Sequence, residues 1–91
     1  MELTFFYKPG CPYCRRAEAL LTELVRENPA YGSVAIERVD ENANALRARQ
    51  YDYWYVPCFF LGHKKLYEAD PAESAAEMKA ALIRVLDAAL A

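Results

Sequence analysis

Leu3-Thr4-Phe5-Phe6-Tyr7-Lys8-Pro9-Gly10-Cys11-Pro12-Tyr13-Cys14 takes the chain from an apolar run to two cysteines set two residues apart. The stretch that follows is amphipathic. Ala17, Leu20, Leu21, Leu24 and Val25 fall at the i, i+3, i+4, i+7, i+8 spacing of a core-facing helix. A strand running into a helix with Cys-x-x-Cys at the junction is the context of a redox pair rather than of scattered thiols. Cys11 is expected at the N-cap, and Pro12 in the first turn, where a missing N–H costs nothing. The unpaired amides of that turn and the positive end of the helix dipole then point at the Cys11 sulfur. They favour thiolate over thiol, and thiolate is the species that attacks disulfides. Cys14, one helical turn further on, is placed to close a ring with Cys11, so the pair supplies an attacking and a resolving thiol.

Beyond this junction the elements alternate. Residues 2–7 read as a buried strand and residues 12–27 as a helix, stopped by Asn28-Pro29, with a turn at Tyr31-Gly32-Ser33. Val34 to Val39 is expected as a second strand. Asp40-Glu41-Asn42 offers caps for a shorter helix over residues 43–50. Tyr51 to Tyr55 is a connector crowded with aromatics. Val56-Pro57-Cys58-Phe59-Phe60-Leu61 reads as a strand opening on proline, which is allowed where no ladder hydrogen bond is donated. Gly62-His63-Lys64-Lys65 is expected to turn into a short strand at Leu66-Tyr67. Asp70-Pro71-Ala72-Glu73 has the form of a capping box with proline at N1. It is expected to start a last helix carrying Met78, Leu82, Val85, Leu86 and Ala89 on one face. The order is β-α-β-α-β-β-α.

Composition narrows the function classes. The 91 residues make room for one domain, and 55% hydrophobic with 26% charged residues describes an ordinary globular chain. A net charge of −2 leaves no broad basic field for nucleic acid or an anionic membrane. No apolar run approaches the ~20 residues of a membrane span. Met1-Glu2-Leu3-Thr4 has no basic n-region, so no secretory signal is expected. Three cysteines are an odd count and too few for a secreted disulfide scaffold, so a cytoplasmic, reducing setting is expected.

The element order, the Lys8-Pro9-Gly10-Cys11-Pro12-Tyr13-Cys14 junction and the distant Val56-Pro57 pair together resemble the glutaredoxin family of the thioredoxin fold. The resemblance implies a single α/β domain over residues 1–91, with a central four-stranded mixed sheet flanked by helices. It implies a cis bond before Pro57, close to the active-site sulfurs. It also implies a thiol–disulfide oxidoreductase with Cys11 and Cys14 as catalytic residues and Lys8, Tyr13, Val56, Pro57 and Asp70 in contact with substrate. No bound cofactor and no metal are expected. Glutathione is the implied reducing co-substrate, and disulfide-containing proteins or glutathione mixed disulfides are the implied substrates of a monomer with no nucleic-acid or membrane partner.

One stretch departs from the family. Where glutaredoxins carry Gly-Gly and an acidic pair at the γ-glutamyl end of glutathione, this chain has Tyr67-Glu68-Ala69-Asp70-Pro71. Glu68 would add a side chain and a negative charge there, while Asp70 could still pair with the γ-glutamyl ammonium. Tyr55 stands where a small hydroxyl residue is common. Two alternatives follow. One is a small thioredoxin-like carrier reduced by a flavoprotein. The other is a non-catalytic module holding a metal through Cys11, Cys14 and Cys58.

Other residues have plainer readings beside functional ones. Cys58 in an apolar strand reads as a small buried hydrophobe, and His63 as a solvated turn residue. Lys8 is either a solvated strand-end lysine or a cation favouring the Cys11 thiolate. Arg47 and Arg49 suit either the glycine carboxylate of glutathione or an exposed helix face. The Tyr51-to-Tyr55 cluster either packs the connector against the short helix or forms a contact surface beside Cys11.

Overall fold

The computed structural model describes residues 2–91. Its elements are β1 (Leu3–Tyr7), α1 (Pro12–Glu27), a 3₁₀ turn (Pro29–Ser33), β2 (Ile36–Asp40), α2 (Ala45–Ala48), β3 (Cys58–Leu61), β4 (Lys64–Glu68) and α3 (Ala75–Leu90). They build one four-stranded mixed sheet in the order β2-β1-β3-β4. β1 and β2 run parallel, from Leu3 opposite Ile36 to Tyr7 opposite Asp40. A parallel pair needs a crossover, and α1 supplies it. β3 runs antiparallel to both β1 and β4.

Alternation along β1 sorts side chains to two faces. Leu3 and Phe5 join Phe59 and Tyr67 in a core built against Leu20, Leu21 and Leu24 of α1 and Met78, Leu82, Val85 and Leu86 of α3. Phe5 and Phe59 stack at 4.4 Å between ring centroids. Each such fully buried side chain contributes about 1.5–3 kcal/mol relative to exposure. Phe6, Val39, Cys58 and Phe60 form a smaller cluster on the other face, covered by Ala48, Tyr51, Tyr53 and Val56. Both long helices therefore serve one face, and the short helix and aromatic connector serve the other.

Several boundaries differ from expectation. Val25 is 37% exposed, at the edge of the α1 stripe rather than inside it. β2 begins at Ile36 because Val34 still closes the 3₁₀ turn, donating its N–H to the Tyr31 carbonyl. α2 shrinks to four residues. The Asp40 carboxylate accepts the N–H groups of Asn42 and Ala43 at 2.8 and 3.2 Å and turns the chain instead of capping a longer helix. Val56 and Pro57 stay outside the β3 ladder. Lys64 and Lys65 lie inside β4, so the hairpin turn is Gly62-His63 alone, with Gly62 at φ +62°.

The largest correction is at α3. Asp70-Pro71-Ala72-Glu73 does not start it; Ser74 caps it, with a reciprocal capping box to Glu77. The earlier motif folds as its own turn, Glu73 N–H to the Asp70 carbonyl at 2.9 Å. The Glu73 carboxylate accepts the Asp70 N–H at 3.3 Å and also the Tyr67 hydroxyl of β4.

Candidate active site

Lys8-Pro9-Gly10-Cys11 forms a turn closed by the Cys11 N–H on the Lys8 carbonyl at 3.2 Å. Gly10 sits at φ +78°, the left-handed position that follows proline in a type II turn and favours glycine. The turn delivers Cys11 to the N-cap of α1 in an extended conformation, φ −78° and ψ 120°, with Pro12 next. The Cys14 N–H then points at the Cys11 sulfur, 3.4 Å away.

The two thiols are driven apart electrostatically. Partial burial acts to raise Cys11. Hydrogen bonds from the Cys14 N–H and thiol and from the Tyr13 N–H, with the charge of Lys8, outweigh it and hold the thiol below its ordinary value. Cys14, only 5% exposed, is pushed up to about 12. Burial is the main cause there, reinforced by the Cys11 sulfur and the negative charge of Glu41. One cysteine is set to be thiolate, and its partner to stay protonated until it is needed.

Cys11 stands on the wall between two hollows. One, of about 430 Å³, runs over Phe5, Tyr7, Cys14 and Arg15. The other, of about 290 Å³, is lined by Lys8, Cys11, Tyr13, Glu41, Trp54, Tyr55, Val56, Ala69 and Pro71. The second gathers four of the expected site residues, Lys8, Cys11, Tyr13 and Val56. The Val56–Pro57 bond is cis, as the resemblance implies, and Pro57 is fully buried and does not itself line the groove. Tyr13 is held by its hydroxyl on the Pro71 carbonyl at 3.3 Å, with the Arg16 guanidinium 5.3 Å from its ring centre. Asp70 lies between two groove-lining residues, but its carboxylate turns back onto the Ala72 N–H at 2.9 Å.

Other candidates are placed elsewhere. Arg47 makes a two-point ion pair with Glu37, at 2.7 and 2.6 Å, and does not line the groove. Arg49 lines a neighbouring hollow that shares Glu41 and Trp54 with it. His63 is exposed and stacks on Tyr51 at 4.5 Å. Cys58 is fully buried, and its thiol is pushed up to about 12 by burial and then by the charge of Glu68. Among the described residues, no three His, Cys, Asp or Glu side chains converge as metal ligands, so the three cysteines do not form a common site.

The repulsive charge expected at Glu68 takes another form. Its carboxylate accepts the N–H groups of Trp54 and Tyr55 at 2.7 and 2.8 Å and pairs with Lys65 at 2.6 Å, so the charge is compensated. The aromatic connector divides. Tyr51 and Tyr53 pack on Phe6 and Phe60, while Trp54 and Tyr55 are 88% and 54% exposed at the groove.

Glu41 was missed as a site residue. It follows β2 directly and donates its N–H to the Tyr7 carbonyl at 2.9 Å, so it lies where the C-terminal ends of two parallel strands meet. Ligands gather at such ends, and that rule was the available signal.

The sheet order, the crossover helix and the cysteine pair at its N-terminus define the thioredoxin fold. The glutaredoxin family model matches residues 3–66, and the chain belongs to the glutaredoxin family, whose members carry thiol–disulfide redox chemistry. Among solved structures it is similar to thioredoxin 1 from the thermophilic eubacterium Thermosipho africanus TCF52B, with TM-score 0.61, 16% identity and 100% of both chains covered. It is also similar to a malarial protein, with TM-score 0.59, 19% identity, and 91% and 93% of the two chains covered. No curated protein matches it in sequence.

Proposed function

We propose that this protein is a thiol–disulfide oxidoreductase that works through Cys11 and Cys14. The Cys11 thiolate attacks one sulfur of a disulfide, forms a mixed disulfide and releases the other half as thiolate. Cys14 then gives up its proton, attacks the Cys11 sulfur and frees the reduced substrate. The Cys11–Cys14 disulfide that remains is reopened by two equivalents of an external thiol, with glutathione as the expected donor. The observation that carries this reading is the Cys14 N–H aimed at the Cys11 sulfur inside a groove walled by Val56. Val56 has its N–H and carbonyl free of partners within the described chain, and an extended substrate segment could pair with them. A reducing cytoplasmic setting, disulfide-bearing proteins as substrates and a monomeric state belong to the same reading.

Ala69 favours weak capture of glutathione. It is 5% exposed and lines the groove where the family carries glycine. A lost close approach or hydrogen-bonded anchor costs roughly 1–3 kcal/mol, or about 5- to 150-fold in affinity. The same feature supports the second reading, a carrier reduced by a flavoprotein. The test is steady-state reduction of a glutathione mixed disulfide with glutathione and its reductase, run beside a thioredoxin-reductase system. Turnover that saturates poorly in the first assay is expected. Turnover only in the second hands the assignment to the carrier, and turnover in neither removes both.

A further inference from the structure

Glu68 does more than replace a glycine. One of its carboxylate oxygens takes the N–H groups of Trp54 and Tyr55, at 2.7 and 2.8 Å. The other takes the Lys65 ammonium at 2.6 Å, and Lys65 also reaches the Asp52 carbonyl at 3.1 Å. One residue on, the Ala69 N–H meets the Pro57 carbonyl at 3.0 Å. The segment from Asp52 to Pro57 is thereby tied along the end of β4. The Glu68 side chain is only 17% exposed, and its bonds to the two amides and the ammonium are charge-assisted. Trp54 and Tyr55 are consequently anchored by their backbone while their rings face solvent. An exposed tryptophan held this way has paid its ordering cost before any partner arrives.

We propose that Glu68 is a positioning residue that presents Trp54 and Tyr55 as a fixed aromatic rim on the Cys11 groove, and that this rim selects disulfides in extended polypeptide over glutathione adducts. The proposal rests on the oxidoreductase reading above. Trp54, Tyr55 and Val56 line the same groove as Cys11, so the rim is continuous with the reacting sulfur. A polypeptide whose cysteine is attacked by Cys11 carries side chains on both sides of that cysteine. Where it lies extended along Val56, those side chains cover the rings. Glutathione surrounds its sulfur with amides, two carboxylates and an ammonium, and has no second side chain to lay on Trp54. Tryptophan and tyrosine at a contact contribute mainly through such covering.

The test compares kcat/KM for a disulfide-bearing peptide with that for a glutathione mixed disulfide, using the full chain and one reducing system. The ratio is expected above one in the wild type. Trp54→Ala should lower it roughly tenfold, through KM for the peptide rather than kcat, the size of one aromatic contact. Glu68→Ala should lower it similarly, and Glu68→Gln should restore much of it, because an amide oxygen still accepts the two N–H groups. If Glu68→Ala fails to fold, Trp54→Ala still decides, since its ring is exposed. Trp54 is the chain's single tryptophan. In Cys14→Ser protein, a peptide disulfide-linked to Cys11 should therefore shift its fluorescence, and linked glutathione should not. A ratio unchanged in Trp54→Ala, or equal fluorescence shifts from the two adducts, overturns the rim. A wild type that turns over neither disulfide sinks the oxidoreductase reading itself.

Discussion

Cys11 and Cys58 carry the same thiol group and behave in opposite ways. Cys11 begins a helix, where backbone N–H groups lack partners and one of them reaches its sulfur. Cys58 sits mid-sheet, opposite Phe6 on β1 and Glu68 on β4. There burial outweighs the one backbone hydrogen bond, from Phe59, that favours its thiolate, and the side chain lies in a cluster with Phe6, Val39 and Phe60. The first thiol is held below its ordinary value and the second is pushed up to about 12. Reactivity is thus a property of the place in the fold rather than of the residue.

The comparison is broken most directly at the nucleophile. Cys11→Ser should abolish turnover of every disulfide, because a hydroxyl at the same N-cap is not ionised near neutral pH. Residual turnover above a few per cent would mean that another thiol does the work. Cys14→Ser comes next. Its mixed disulfide with a protein substrate should accumulate and be visible by mass spectrometry, while glutathione adducts, which a second glutathione can resolve, should still turn over.

Titration sharpens the contrast. Alkylation of Cys11 by iodoacetamide needs thiolate, so its rate should fall away only as pH drops through a value below the usual ~8.5 of a free thiol. Cys14 and Cys58 should react only as pH climbs toward about 12. The stability signs follow. The lowered Cys11 value stabilises the fold above its unfolded-state pKa, and this contribution is lost as pH falls through the folded value. The raised Cys14 and Cys58 values stabilise it below theirs, and that share is lost as pH rises toward about 12. Faster labelling of Cys14 or Cys58 at neutral pH would reverse the assignment.

The sequence was most readable where its signals are local. The bounds of α1, residues 12–27, follow from Cys11-Pro12 at one end and Asn28-Pro29 at the other, and the structure keeps them. The start of α3 was misplaced: Asp70-Pro71-Ala72-Glu73 reads as its cap, whereas Ser74 with Glu77 caps the helix four residues later. Contacts outside the motif hold its turn in place: the Tyr67 hydroxyl reaches the Glu73 carboxylate, and Arg16 on α1 donates to the Glu73 carbonyl at 3.4 Å. The groove divides in the same manner. Its Cys11 wall is one continuous stretch, whereas Glu41, Trp54 and Ala69 come from three others brought together by sheet order. Glu68 was visible as a charge, but its direction toward the Trp54 and Tyr55 amides depends on how the connector is brought to the end of β4.

Cys58 supplies the smallest expected effect. Its side chain is fully buried, so removing it tests packing rather than chemistry. Cys58→Ala deletes one sulfur from a cluster closed by Phe6, Phe60, Tyr51 and Tyr53 and should cost about 1 kcal/mol in a denaturant titration. Cys58→Ser should cost somewhat more, about 1–3 kcal/mol, because the hydroxyl must find a partner among rings. In both variants, activity at a temperature where the protein stays folded should remain within about twofold, since no step of the proposed exchange uses this thiol. A tenfold loss of turnover in Cys58→Ala, with stability unchanged, would instead place the sheet thiol in the reaction path and erase the contrast with Cys11.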